Sequence, residues 1–237
     1  MIGAMRPSVI GVLLLAGVSS VHAAPLAELL QAVAANARFE TPARADVRIE
    51  CSGCKAAGAQ VVLVGRGESV YVEVKDGMRA LIRPGEAWVA RSGKVVKADV
   101  GETVADTDVL LEDLAVFTPG SLKMPQVSDD GPAGVVVTAA PSGASAWVLV
   151  VHTIDPERNA IVRSLRYRDA VNNLAATQRN ANLVQVGKGW RPQEIVSENL
   201  RKGRATTLRL GWREMPDAPA ALHEPAGLEQ PSGLSWP

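Results

Sequence analysis

Most of the chain has the hydrophobic period of a β-strand. Short segments rich in Val and Ile place apolar residues at every second position, with Gly or charged turns between them. The predicted strands are 45–50, 59–66, 69–75, 78–83, 86–91, 134–140, 145–153, 160–168, 174–178, 182–187, 193–199 and 204–211. No helix-length periodic segment separates neighbouring strands within either group, so we expect an antiparallel sheet without parallel βαβ units.

The segment 69–75 indicates how this sheet meets water. Val70, Val72 and Val74 share one face of the predicted strand, and Glu73 and Lys75 lie on the other face. Charged side chains favour contact with water, so we expect one face of the sheet to be solvated and the valine face to be covered.

Two segments have helical periodicity. The first follows Pro25 and runs to about residue 37, with apolar residues at helical spacing. The second is predicted over 107–117, is capped by Asp106 or Thr107, and ends before Pro119. Residues 121–133 have the composition of a loop.

Together these elements predict a mainly β protein of the α+β class. About eleven strands expose too much apolar surface for a flat open sheet, so we expect the sheet to curl into a half-open barrel. Two or three short helices would cover its open side. Because aromatic residues make up only 4% of the chain, aliphatic side chains would line the interior and could leave it hollow.

The first 23 residues have the order of a secretory signal peptide. Arg6 precedes an apolar run over 9–18, and Val21-His22-Ala23 places small residues at a cleavage site. The run is too short to span a bilayer, so we expect secretion into a bacterial periplasm, with a buried N-terminal helix as the alternative. The predicted domains are then a half-barrel over 24–214 and a Pro-rich tail over 215–237 that follows the surface or is partly disordered.

Charge and motif content narrow the possible functions. The 237 residues include 25 basic and 25 acidic side chains, and a net charge of zero argues against nucleic-acid binding. The common hydrolase and nucleotide-binding motifs are absent from the sequence, and we expect neither an enzyme nor a metal or other cofactor. His152 is interpreted as a strand-end residue, and Arg166 and Arg168 as part of a solvated face.

Cys51 and Cys54 are the two cysteines of the chain. In an oxidising compartment, a disulfide that tightens a turn is the simplest interpretation. A redox-active dithiol is an alternative, although such a motif normally stands at a helix N-terminus. Metal binding is a third, and it would need further soft ligands.

The order of these elements resembles the LolA-like periplasmic carriers, the family of outer-membrane lipoprotein-sorting proteins. The resemblance rests on the signal sequence, the early helix, the strand meander, the Leu110–Leu114 segment and the late strands around Trp190-Arg191-Pro192. It extends to about Trp212, and the two cysteines and the Pro-rich tail depart from it. It implies a half-open barrel that holds acyl chains beneath a helical lid. No lid-locking arginine of the family can be assigned to a position here.

The resulting hypothesis is a monomeric, non-enzymatic carrier or chaperone for the acyl chains of a lipoprotein or lipid. It would receive cargo from an inner-membrane transporter and deliver it towards an outer-membrane acceptor. The predicted cavity wall consists of Val72, Val74, Ile82, Trp88, Val148, Val150 and Leu165. The predicted lid, which could equally be an ordinary core helix, carries Leu110, Leu111, Leu114 and Phe117. The alternatives are a periplasmic sensor of lipidated ligands and a thiol oxidoreductase that uses Cys51 and Cys54.

Overall fold

The computed structural model describes residues 23–91, 93–131 and 133–236. The predicted signal peptide lies outside these ranges except for its last residue. In the ranges described, none of the helices is long and apolar enough to cross a membrane.

One antiparallel sheet of thirteen strands dominates the described chain. Its strands are β1 Phe39–Cys51, β2 Gln60–Gly67, β3 Ser69–Val74, β4 Arg79–Arg83, β5 Glu86–Arg91, β6 Lys94–Lys97, β7 Leu122–Gly131, β8 Gly134–Pro141, β9 Leu149–Asp155, β10 Ala160–Tyr167, β11 Leu174–Val186, β12 Gly189–Asn199 and β13 Arg204–Glu214. The sheet is curved and open, which confirms the predicted fold class.

Strands that follow each other in sequence pair with each other, except that β6 does not pair with β7. In the middle of the sheet β1 pairs with β13, and Val47 lies opposite Leu210. Strands β6 and β7 form the two edges, and residues 98–121 connect them.

The thirteen observed strands differ from the twelve predicted ranges in three places: β6 and β7 were not predicted as strands, and β11 replaces two predicted ranges. Strand β7 was expected to be a loop because it contains Pro125 and two adjacent aspartates. As an edge strand with two register shifts, however, it tolerates a proline and charged residues. Strand β11 was expected as two strands. It continues through Asn182, whose φ of 54° interrupts the alternating pattern without ending the ladder.

The first predicted helix is present as α1, Ala23–Ala37. Its buried residues Leu30 and Val33 pack against Val137 of β8 and Ile154 of β9. The helix therefore covers the part of the sheet near the β7 edge.

The prediction of a second helix over 107–117 is wrong. The only helical part of this range is a 3₁₀ turn, Leu111–Leu114. Leu110 and Ala115, on either side of this turn, have extended backbone conformations, so the helix continues in neither direction. We call residues 104–117 the cover segment, because its buried Val109 and Leu111 pack on the core of the sheet.

Other elements pack on both faces of the sheet. We define the inner face as the one that carries Val47, Leu63 and Val72, against which α1 and the cover segment pack. The outer face carries Val62, Tyr71 and Leu81, and the C-terminal tail, residues 215–236, packs against it.

The expectation of a solvated face around Glu73 is therefore wrong. Glu73 is only 4% exposed, and its carboxylate accepts a hydrogen bond from the backbone N–H of Ser232 in the tail. Leu228 of the tail is fully buried, and its carbonyl accepts a hydrogen bond from Nε of Arg79 at 2.8 Å. The tail thus takes the place of water over the outer face of β2 to β5.

Candidate functional site

A cavity of about 660 Å³ lies between the inner face of the sheet, helix α1 and the cover segment. Residues from both halves of the sheet line it, so it is a property of the whole fold rather than of one loop. Its lining divides into an apolar side and a polar side.

The apolar side is formed mainly by β1 to β4 and β13. The ring of Phe39 lies over Gly65, where a Cβ atom would come within 2.4 Å of it, so the absence of a side chain at Gly65 makes room for the ring. Its centroid is 5.9 Å from that of Trp212. Aliphatic residues complete this side, and they are Leu63, Val70, Ile82 and Leu210.

Arg191 of β12 fixes the end of helix α1 beside the cavity. Its guanidinium donates hydrogen bonds to the carbonyl oxygens of Asn36 at 2.6 Å and Arg38 at 2.8 Å. It also lies 4.2 Å from the centroid of the Phe39 ring. Burial lowers the pKa of Arg191 to about 10, so the group stays charged at neutral pH and stabilises the negative C-terminal end of the helix.

The polar side is a row of side chains across β9, β10 and β11. His152 is paired with Ser164, and Ser164 with Gln178, in the register of the three strands. Nδ1 of His152 lies 2.9 Å from Oγ of Ser164, and Nε2 of Gln178 donates to Oδ1 of Asn180 at 3.0 Å. Burial, with a smaller effect from Arg166, lowers the pKa of His152 to about 3, so its ring is neutral at neutral pH.

A buried ion pair joins this polar side to the cover segment. Nε of Arg166 lies 3.1 Å from Oδ1 of Asp113, and both side chains are nearly inaccessible. Burial raises the pKa of Asp113, and the charge of Arg166 opposes that rise. The next carboxylate, that of Glu112, accepts hydrogen bonds from Oγ of Ser145 and the backbone N–H of Ala146.

A second buried carboxylate holds the other end of the cover segment. Asp108 accepts hydrogen bonds from Nε and Nη2 of Arg204 at 3.0 and 2.8 Å, and from the side-chain amide of Asn199 at 3.1 Å. Its backbone N–H donates to Oγ1 of Thr206. The cover segment is therefore fastened to the sheet at Asp108, before its 3₁₀ turn, and at Asp113, within that turn.

The structure brings five of the predicted site residues to the cavity. Ile82 and Val150 line it from the sheet, and Leu111, Leu114 and Phe117 line it from the cover segment. The ring of Phe117 also meets the ring of His152 edge-on, with centroids 6.3 Å apart.

The other six lie outside the cavity lining. Val72 and Val74 pack within the core of the inner face, and Leu110 is buried at the start of the 3₁₀ turn. Trp88 packs under the tail on the outer face. Val148 is 44% exposed, and Leu165 lies on the opposite face of β10 from Arg166.

The solvated face expected for Arg166 is wrong, because this residue is 5% exposed and lines the cavity. His152 likewise lies inside β9 and not at its end. Sequence reasoning also missed Arg191 and Asp108. The alternation of Arg166 with Leu165 was a usable signal, but it separates two faces without saying which one is the interior.

Cys51 and Cys54 form a disulfide at the end of β1. Residues 52–59 after the strand form turns, and the next regular element is β2. The pair therefore does not stand at a helix N-terminus, the position that lowers a thiol pKa in redox motifs. Across the described residues, no three His, Cys, Asp or Glu side chains are grouped to hold a metal ion.

Solved structures share this architecture. An outer membrane lipoprotein-sorting protein domain from Vibrio parahaemolyticus is 15% identical, with a TM-score of 0.73 over 86% of this chain and 97% of that one. A DUF1329 family protein from Desulfovibrio piger is 10% identical, with a TM-score of 0.71 over 86% and 99%. A LolA superfamily protein from Nitrosomonas europaea is 15% identical, with a TM-score of 0.66 over 84% and 96%.

At the level of sequence, no family model and no curated protein matches the chain. The similarity is thus one of structure, and it extends over nearly the full length of each of these three proteins. The chain has the LolA-like fold.

Proposed function

We propose that the protein is a carrier that binds an acyl chain of a lipid or lipoprotein in the cavity beneath the cover segment. The observation that carries this proposal is a cavity of about 660 Å³ with a continuous apolar side in a fold shared with lipoprotein-sorting proteins. Burial of an acyl chain is favourable by about 0.8 kcal/mol per CH₂ group. Contacts with the apolar side can therefore offset the free-energy cost of moving an acyl chain out of a membrane.

The volume supports a small cargo. At roughly 30 Å³ for a water-sized group, it accommodates on the order of twenty such groups, about the size of one long acyl chain. In this proposal the protein acts in the periplasm, exchanges its cargo between an inner-membrane donor and an outer-membrane acceptor, and catalyses no reaction. We expect the cover segment to move during exchange, because Leu111 and Leu114 line the cavity.

A cavity-filling substitution tests this function. V150W places a large side chain in the cavity, so we expect it to abolish binding of a long acyl chain. V148W is the matched control, because the same substitution at this exposed position leaves the cavity unchanged. Native mass spectrometry of protein purified without detergent would measure the lipid that copurifies or is added back.

Lipid bound by the wild type and V148W, but not by a folded V150W, supports the carrier. The proposal fails if the wild type binds no lipid at any added concentration, or if V150W binds as much as V148W does. Circular dichroism would establish that V150W is folded.

A further inference from the structure

One nitrogen of the Arg166 guanidinium, Nη1, has no hydrogen-bond partner among the described residues. Nε of the same group pairs with Asp113, and Nη2 donates to Oε1 of Gln178 at 2.9 Å. Nη1 is buried, and a buried donor without an acceptor costs free energy. Arg166 lines the cavity although Nη1 itself is closed off, so a small shift of the guanidinium towards the cavity would let a guest supply the missing acceptor.

The position of Arg166 in the lining indicates what kind of guest this is. The apolar side of the cavity, with Phe39 and Ile82, can hold a hydrocarbon chain. Arg166 belongs to the other side, with Ser164 and Gln178, where a polar end of the same molecule would lie. The lining therefore fits an amphiphile with one chain and an oxygen acceptor near the end of that chain.

The charges around Arg166 favour an uncharged acceptor. Asp113 pairs with it directly, and Glu112 and Arg168 interact electrostatically with this ion pair. Two acidic and two basic side chains thus balance each other. A carboxylate on the guest would add an unbalanced negative charge at a buried site, whereas a carbonyl oxygen would accept the hydrogen bond without adding charge.

We propose that Arg166 binds the ester or amide carbonyl oxygen of a single acyl chain, and that the cavity selects such chains over free fatty acids. This inference rests on the proposed carrier function and adds the chemical class of its cargo. The chain occupies the apolar side, and Nη1 of Arg166 donates its hydrogen bond to the carbonyl oxygen where the chain joins its head.

A competition between two matched ligands tests the assignment. 1-O-palmitoylglycerol and 1-O-hexadecylglycerol have the same headgroup and chain length, but the second has an ether in place of the ester carbonyl. Added together at equal concentration, they can be distinguished by mass in native mass spectrometry. We expect the wild type to bind the ester about tenfold more than the ether, the size of one hydrogen bond to a charged donor. Palmitate in a third arm should bind more weakly than the ester.

Variants of the arginine connect this preference to Arg166. R166K keeps a positive charge for Asp113, but its single ammonium cannot occupy the positions of both Nε and Nη1, so the ratio of ester to ether should fall to about one while the ether still binds. R168K is the matched control and should keep the wild-type ratio, because Arg168 lies outside the cavity lining. If R166K does not fold, the double variant R166Q/D113N is used in its place, because it removes both charges of the buried pair together.

The outcomes separate this inference from the proposed function. Equal binding of ester and ether by the wild type overturns the role of Arg166 and leaves the carrier in place. If palmitate binds as tightly as the ester, the selection against free acids is overturned. If the ratio of ester to ether is unchanged in R166K, the assignment to Arg166 is overturned. If none of the three ligands binds, the carrier function itself fails.

Discussion

At the scale of single residues, the interior of this protein is unusual for the polar groups it holds. His152, Ser164, Arg166 and Gln178 lie on the inner face of a sheet whose other strands turn Val, Leu and Ile inward. Each of these four has a hydrogen-bond or ion-pair partner. Their burial costs free energy that apolar residues would not cost, which is the physical reason to assign them a role in binding.

His152, which is partly buried, and His223, which is buried, predict how stability depends on pH. The pKa of His152 is lowered to about 3 and that of His223 to about 4, against an ordinary value of 6.5. Between pH 6.5 and these values the unfolded chain binds protons that the folded chain does not. The free energy of unfolding should therefore fall as pH falls, by about 1.4 kcal/mol per pH unit for each histidine.

H152Q removes one of these protonation sites and keeps a hydrogen-bonding side chain. In urea unfolding at pH 6 and pH 5, we expect it to lose about 1 kcal/mol less stability than the wild type between the two values. H223Q should behave similarly and serves as the internal comparison. A pH dependence in H152Q identical to that of the wild type would mean that the pKa of His152 is the same in the folded and unfolded chain.

At the scale of elements, the cover segment depends on buried carboxylates rather than on helical structure. Its 3₁₀ turn is four residues long, and the segment is held by the ion pairs of Asp108 with Arg204 of β13 and of Asp113 with Arg166 of β10. Such a segment is stable because of its anchors, and not because of its own hydrogen bonds.

Removal of one anchor should therefore be costly. D108A leaves Arg204 without its partner, and we expect a loss of about 3 kcal/mol in the free energy of unfolding. D99A is the control, because its ion pair with Arg91 is exposed and should contribute less than about 0.5 kcal/mol. Hydrogen exchange over residues 104–117 should increase in D108A alone. Equal stability of the two variants in urea would show that Asp108 is not an anchor.

The tail buries the outer face of β2 to β5. Leu228 is fully buried there and packs in one cluster with Leu81 and Tyr71. L228A should therefore reduce the free energy of unfolding by roughly 3 kcal/mol, the usual cost of a buried Leu to Ala change. L200A, at a leucine that is 46% exposed, should cost less than about 0.5 kcal/mol. Thermal melts of both variants would measure this difference. If L228A and L200A lost the same stability, the tail would only rest on the surface.

At the scale of the whole molecule, the sequence predicts the sheet better than it predicts the site. The period-two pattern gives antiparallel strands, and the spacing of Leu30 and Val33 gives α1, because both signals are local. The cavity depends on which face is turned inward, and alternation in β10 fits either Leu165 or Arg166 as the inner residue. That choice is made by Asp113, more than fifty residues earlier in the chain. The hydrogen bond from Ser232 to Glu73 is likewise a long-range contact, which a local sequence pattern cannot predict.

The pairing of β1 with β13 has a consequence for how the protein is made. The partner of β1 is β13, so the centre of the sheet cannot form until residues 204–214 have been synthesised. Closing so long a chain loop carries a large entropic penalty, which slows acquisition of the native topology. Until then, the edge of β1 that faces β13 offers free backbone amides and carbonyls to any neighbouring molecule, and biosynthesis must pass through this aggregation-prone interval.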